Sequence, residues 1–411
     1  MSSRNPEVTR DVKLLSILYE QGLVKPKAYV DPNASNDKKK KGRAAKPQEV
    51  PVFKKDESDP LAENYGDLPL NMSQDLPTRS WTKIAEIDES KVGQELWLRV
   101  RLHTCRAKGK AAFLVMRQQS STLQGVMFVG DTVSKGMIKY AQYLSNESIL
   151  SVHGTVVKPE TPIESCTQKV EFHITKLFCV SAAARVLPFQ IEDAARKVTL
   201  EEEKAADAAA AKGEETKKSD KRGDKNTPAP TVGMDTRLDN RILDLRTPCN
   251  NAIFRLNSGV CRLFREYLYT QDFVEIHTPK ILPGASEGGA NVFELEYFGK
   301  AACLAQSPQL YKQMAICADL QRVFEIGPVF RAENSNTHRH LCEFTGLDFE
   351  MQFNEHYFEV LDVIGGLFNS IFENLNTRYA AELEAINAQH PFEPFKFSKD
   401  VLKLEWKEGI K

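Results

Sequence analysis

Residues 322–350, RVFEIGPVFRAENSNTHRHLCEFTGLDFE, constrain this chain more than any other stretch. Two apolar runs flank a polar loop. Val323 to Phe330 has the composition of a buried strand, interrupted by Gly327-Pro328. Phe344 to Met351 alternates, with Phe344, Gly346, Asp348 and Glu350 on one face and Thr345, Leu347, Phe349 and Met351 on the other. Ala332 to Cys342 is rich in Asn, Ser, Thr, His and Arg and reads as a solvated loop. Arg331 closes the first strand, and Glu333, two residues on, shares its face by strand period. A guanidinium fork in that place can hold a phosphate or carboxylate through two parallel hydrogen bonds. An ordinary hairpin with a surface Arg–Glu pair satisfies the same composition.

A second period-two region runs from Trp81 to Val180. Leu96, Leu98, Val100 and Leu102 face one way; Trp97, Arg99, Arg101 and His103 face the other. Further strands are predicted over Ala112–Arg117, Thr122–Val129, Ile149–Val157 and Lys169–Val180, the last with Val170, Phe172 and Ile174 inward. Five short strands in about a hundred residues suit a small closed barrel, of which the OB-fold is the usual form. Arginines, aromatics and polar side chains on its outer face suit unpaired bases, which need stacking surfaces and hydrogen-bonding edges, although any exposed strand face carries polar residues.

The rest of the chain divides by composition. Residues 1–75 are polar, with a short helix predicted over Val8–Tyr19 and a basic run at Lys38–Lys41, either a solvated tail or an arm for RNA phosphates. Residues 76–190 hold the barrel, 191–234 a charged linker, and 235–411 a second globular unit. In that unit Asn251–Thr270 reads as an amphipathic helix with Ile253, Leu256, Val260, Leu263, Phe264 and Tyr267 inward, followed by a strand, Phe273–Ile276, and Thr278-Pro279. Pro283 to Ala290 contains Ser286, Glu287 and three glycines, the mark of a mobile loop or of a plain turn. After a strand over Ala302–Ala305, Gln309 and Lys312 lie three apart on one helical face. An amide beside an ammonium suits a ligand with both amine and carboxylate; a solvent-facing pair is the bland alternative, mildly disfavoured because a Lys in the first turn opposes the helix dipole. The eight cysteines form no C-x-x-C pair, which argues for buried thiols in a reducing compartment rather than structural zinc. No stretch has the length of a membrane span, and the N-terminus lacks an apolar signal core and carries Glu7 and Asp11, so a cytoplasmic, membrane-free protein is expected. The net charge of −1 decides nothing about nucleic acid.

The literal string Phe330-Arg331-x-Glu333, the loop, Arg339-His340 and Glu343-Phe344-x-x-x-Asp348 resembles motif 2 of class II aminoacyl-tRNA synthetases, and more narrowly the aspartyl-tRNA synthetases of the eukaryotic cytosolic type. Leu238-Asp239-Asn240-Arg241-x-Leu243-Asp244-Leu245-Arg246 matches the same family, and the helix–strand–Pro279 run is similar to its motif 1. The resemblance implies an α+β chain: a five-stranded OB-fold barrel that binds the anticodon, then an antiparallel-sheet catalytic domain. It implies ATP-dependent activation of L-aspartate and transfer to tRNA(Asp), by a homodimer with Pro279 at the interface. Arg331 would bridge the α-phosphate and the attacking carboxylate, Glu333 would contact the ATP base or the terminal adenosine of the tRNA, and His340 and Phe344 would contact the outer phosphates and the adenine of ATP. Ser286 and Glu287, in a lid over the amino acid, and Gln309 would bind the aspartate, Glu287 and Asp348 would meet its ammonium, and Lys312 would face its side-chain carboxylate. Asparaginyl relatives lack a Lys there. Phe113 would stack an anticodon base, and Gln124 and Glu171 would read base edges. The sequence ends at Lys411, before the places where the resemblance puts motif 3, the Arg that partners Lys312 and the acidic Mg²⁺ ligands, so a partial catalytic domain is expected. A non-catalytic tRNA-binding paralogue and an asparaginyl-tRNA synthetase are the alternatives.

Overall fold

The computed structural model describes residues 53–69, 79–197, 199, 231–286, 291–335, 337 and 339–410. All the elements below fall in the compact unit Lys54–Lys411. The predicted helix Val8–Tyr19, the Lys38–Lys41 run, most of the linker and Glu287 lie outside the described residues.

The period-two region forms a barrel of β2 (Glu95–Lys108), β3 (Ala111–Gln118), β4 (Ser121–Phe128), β5 (Ile149–Val157) and β6 (Glu171–Ser181). The antiparallel run β4–β3–β2–β5 closes because β6 pairs with both of its ends, antiparallel with β5 and parallel with β4. Closure leaves no edge among these five strands, which is how a small sheet protects its backbone groups. Leu98, Val100, Leu102, Leu114, Met116, Leu123, Val170, Phe172 and Ile174 fill the interior, as their alternation dictates. Two elements carried no period-two signal. A three-residue strand, β1 (Tyr65–Asp67), adds parallel to β6, and a helix, α1 (Lys135–Tyr143), is capped by Ser134. The Tyr140 hydroxyl of α1 donates to Asp67 at 2.5 Å, so β1 and α1 brace each other. An aromatic ladder, with the Arg99 guanidinium 4.5 Å over Trp81 and that of Arg79 4.4 Å over Trp97, fastens residues 79–82 to β2.

In the second unit two short helical segments, Met234–Asp239 and Arg241–Asp244, lead into α2 (Pro248–Thr270), which begins three residues before the expected start. The reason is local: Thr247 caps it, its Oγ1 accepting from Asn250 N, and Pro248 occupies the first turn, where no N–H is needed. The short strands β7 (Val274–Glu275) and β8 (Ile281–Leu282) follow, then a hairpin of β9 (Glu294–Tyr297) and β10 (Lys300–Leu304), and helix α3 (Gln309–Ala315). The hairpin read from the sequence is β11 (Arg322–Phe330) and β12 (Glu343–Met351), in uninterrupted antiparallel register from Arg322↔Met351 to Phe330↔Glu343. Its apolar face, with Phe324, Ile326, Leu347, Phe349 and Met351, packs on α2 and α4 (Phe358–Arg378) through Leu263, Phe264, Leu268, Val363, Leu367, Ile371 and Leu375. Helix α5 (Ala380–Gln389) completes this layer.

The inward stripe of α2 departs from expectation at one residue. Ile253 is 41% exposed, while Ala252 and Gly259 are buried. Tyr379 decides this, since a Cβ at Gly259 would lie 2.6 Å from its ring. The strand expected over Phe273–Ile276 shortens to two residues because only Val274 and Glu275 pair with β11. Gly327 and Pro328 do not break β11: both stay paired with β12, and Pro328, which has no N–H to give, is tolerated there.

Candidate active site and anticodon face

The face of the β11–β12 hairpin opposite the core carries the polar residues. By register and period it presents Glu325, Gly327, Asp348 and Glu350, with Phe344 and Arg331 at its far end. Lys312 of α3 reaches this face. Its side chain is 2% exposed, with Nζ 2.5 Å from Asp348 Oδ1 and 3.1 Å from Glu350 Oε2. Gln309, one turn earlier, donates from Nε2 to the same Glu350 oxygen at 3.3 Å. The pair predicted on one helical face therefore shares one carboxylate. Burying an ammonium is costly unless it is paired, and two carboxylates meet this one. One positive charge faces two negative ones, so the cluster keeps an acidic excess that favours a further cation. The resemblance places Asp348 at the ammonium of the ligand. In the structure the Asp348 side chain is 35% exposed and already paired with Lys312, because β12 is the outer strand of its sheet.

Beside this cluster, Glu325 is 3% exposed and accepts from Lys280 Nζ at 2.8 Å and from Thr278 N and Oγ1 at 3.1 and 2.7 Å. Burial works to raise its pKa, but the hydrogen bonds from Lys280 and Thr278 prevail and leave it below the ordinary value. Glu325 stands opposite Asp348 in the register, so the segment around Pro279 is tied directly to the site. Pro279 itself is exposed. Gly346 is required where it is, since a Cβ there would meet Val329 at 2.9 Å.

At the other end the Arg331 guanidinium carbon lies 5.8 Å from the centre of the Phe344 ring. Arg331 N donates to Cys342 O at 3.0 Å, which closes the loop where the strands end. Within the loop His340 Nε2 lies 3.5 Å from Glu333 Oε2, and Thr337 Oγ1 holds His340 Nδ1 at 2.6 Å. Ser286 ends the described part of its loop. Its Oγ is buried and meets no hydrogen-bond partner among the described residues. No group of three His, Cys, Asp or Glu placed to hold a metal ion occurs among the described residues.

The barrel residues form a separate face. Gln124 pairs with Glu171 in the register and donates to its Oε1 at 2.9 Å. A cavity of about 590 Å³ opens over them, walled by Thr161, Pro162, Ile163, Glu164 and Ser165. Phe113 lies on the same outer face, 44% exposed, edge-on to the 55% exposed Phe128 at 6.1 Å. Phe128 in turn sits 6.3 Å from the His173 ring. Leu114 and Met116, which alternate with Phe113 along β3, are fully buried and point into the barrel.

Sequence reasoning assigned no role to Glu350, Glu325 or Lys280. Glu350 had a visible signal, its place two residues from Asp348 on one strand face. Glu325 and Lys280 had none, because a pairing across 45 residues leaves no periodic trace.

Known proteins bear on both sites. Residues 96–180 match the OB-fold nucleic acid binding domain family, and residues 233–411 match the class II tRNA synthetases of the D, K and N group. The human cytoplasmic aspartate–tRNA ligase is 48% identical over 367 residues, covering 89% of this chain and 69% of its own length. A crystal structure of a putative aspartyl-tRNA synthetase from Leishmania major superposes with a TM-score of 0.69 at 43% identity, covering 80% of this chain and 59% of that one. An asparaginyl-tRNA synthetase from Pyrococcus horikoshii with asparaginyl-adenylate gives a TM-score of 0.59 at 26% identity, over 77% of this chain and 64% of that one. The chain thus spans about two thirds of the length of such relatives, and no helix among its described residues is long and apolar enough to cross a membrane. On these matches, the chain belongs to the class II aminoacyl-tRNA synthetases, in the family of the aspartate–tRNA ligases.

Proposed function

We propose that the chain carries the amino-acid pocket, part of the ATP site and the anticodon face of a cytoplasmic enzyme that ligates L-aspartate to tRNA(Asp). The observation that carries this reading is the buried Lys312 beside Asp348 and Glu350. A ligand with a side-chain carboxylate takes Lys312 as its counter-ion, and its α-ammonium takes the acid that Lys312 releases. Asparagine offers Lys312 no charge in place of the acid it releases, so the exchange of charge-assisted bonds is incomplete, the kind of mismatch a polar site rejects strongly. Gln309 and Ser286 supply further hydrogen bonds; Glu287, to which the resemblance gives a contact with the ligand's ammonium, lies outside the described residues.

In the first step the aspartate α-carboxylate oxygen attacks the α-phosphorus of ATP, the bond to the bridging oxygen breaks, and pyrophosphate leaves with the electron pair. Arg331 positions both anions and stabilises charge developing at phosphorus. Phe344 offers a ring for the adenine to stack on, His340 approaches the outer phosphates, and Glu333 contacts the ATP base or the terminal adenosine of the tRNA. In the second step a hydroxyl of that terminal ribose attacks the mixed anhydride and AMP departs. ATP enters as a Mg²⁺ complex. The described residues present no acidic trio to hold the ion.

On the barrel, Phe113 stacks a base while Gln124 and Glu171 read base edges. The exposed apolar residues Phe254, Val274 and Ile281, with Pro279 beside them, support a two-fold dimer through α2 and β7. The test is pyrophosphate exchange into ATP by the full-length enzyme with a panel of amino acids. Aspartate should support exchange and asparagine and lysine none; comparable exchange with asparagine would remove the argument from Lys312.

A further inference from the structure

Between α1 and β5 stands Glu147, a non-glycine residue with φ +70° and 4% exposure. Backbones of this kind are rare and persist where the surroundings over-determine them. Its N–H donates to Leu102 O at 2.6 Å, and Arg101 Nη1 donates to its carbonyl at 3.2 Å. Its carboxylate receives Arg117 Nη2 of β3 at 2.7 Å from both oxygens. It also receives Arg246 Nη1 at 2.9 Å, from the second unit, 99 residues away. His103 Nδ1 lies 3.9 Å from the same carboxylate, and its Nε2 lies 3.2 Å from Glu192. Arg246 is no loose surface side chain. It directly precedes Thr247, the cap of α2, and follows Asp244, which is fully buried and held by Arg237 and Arg241. A continuous path thus runs from β3 through Glu147 and Arg246 into α2, whose Phe264 packs on Phe324 of the catalytic sheet.

We propose that Glu147 and Arg246 are positioning residues that fix the angle between barrel and catalytic domain, so that a tRNA held by its anticodon presents its acceptor end to the Lys312 site. The inference rests on the functional reading above. A tRNA is a two-ended ligand, and its second contact gains from the first only when the span between the two sites is set. A carboxylate shared by guanidiniums from both domains sets it with directional bonds that slippage would leave buried and unpaired. Arg246→Gln cuts the link and leaves the Arg117–Glu147 pair inside the barrel.

The experiment uses the whole chain with spectroscopic labels at the exposed positions Lys108 and Glu384, and reads the interdomain distance distribution together with affinity for full tRNA(Asp) and for its anticodon stem-loop. The wild type should give one narrow distribution. Arg246→Gln and Glu147→Gln should broaden it and weaken full tRNA by about tenfold, with stem-loop affinity for Arg246→Gln unchanged; Arg246→Lys should restore most of the loss. Unchanged stem-loop binding shows that the barrel is folded, which a merely structural loss would not preserve. A narrow distribution in Arg246→Gln, or equal weakening of both RNAs, overturns the proposal. A wild type that binds neither RNA overturns the functional reading and this proposal with it, and is told apart because no variant then changes binding.

Discussion

An ammonium on a side chain with 2% exposure, as in Lys312, needs partners that repay its lost hydration, and Asp348 and Glu350 are those partners. The same logic applies at Glu325, where Lys280 and Thr278 take the role. Arg331 is the residue whose chemistry a close substitute tests best. Lysine keeps the charge, but one ammonium cannot copy a planar fork that touches phosphate and carboxylate at once. Arg331→Lys in the full-length enzyme should therefore lower kcat of adenylate formation by about 3 to 4 kcal/mol in barrier, with unfolding by urea unchanged. Near-normal pyrophosphate exchange would show that Arg331 does not clamp the reacting groups.

At the scale of elements, periodicity explains what the sequence disclosed. The β11–β12 hairpin was legible because Phe344, Gly346, Asp348 and Glu350 alternate with Thr345, Leu347, Phe349 and Met351, and one face had to be buried. The barrel strands were legible for the same reason. The brace of β1 and α1 was not, because three residues cannot show a period and the Tyr140–Asp67 bond spans 73 positions. The core face of α2 was misread at Ile253 because the partner that selects it, Tyr379, lies far along the chain. The α2 cap gives a direct test: Thr247→Ala should cost about 0.5 to 2 kcal/mol of unfolding free energy in urea. On the barrel, Phe113→Ala should weaken tRNA binding by about 1 to 3 kcal/mol, the usual value of one stacked base, and leave tRNA-independent pyrophosphate exchange intact; equal damage to both would contradict the anticodon role. For the helix–β7 surface, Phe254→Asp should convert a sedimenting dimer to monomer, and an unaltered sedimentation coefficient would move the interface elsewhere.

Across the whole molecule, the junction of the two domains should carry a pH signature. Burial alone would raise the pKa of Glu147, but the nearby His103 ring and the Arg117 and Arg246 guanidiniums hold it down to about 2. A carboxyl depressed on folding contributes stability that is fully present above its unfolded value near 4.5 and is lost as pH falls through about 2. That contribution is on the order of 3 kcal/mol. Urea unfolding between those limits should lose it in the wild type, whereas Glu147→Gln should show a flatter pH profile. This frame positions the site in which Lys312 is proposed to select the amino acid. The most direct measurement is equilibrium binding of L-aspartate, L-asparagine and ATP to the full-length enzyme and to its Lys312→Leu variant. The variant should lose aspartate by well over tenfold, the scale of an unpaired buried charge, while ATP affinity stays within about twofold. A Lys312→Leu enzyme that binds aspartate as tightly as the wild type would contradict that role of Lys312.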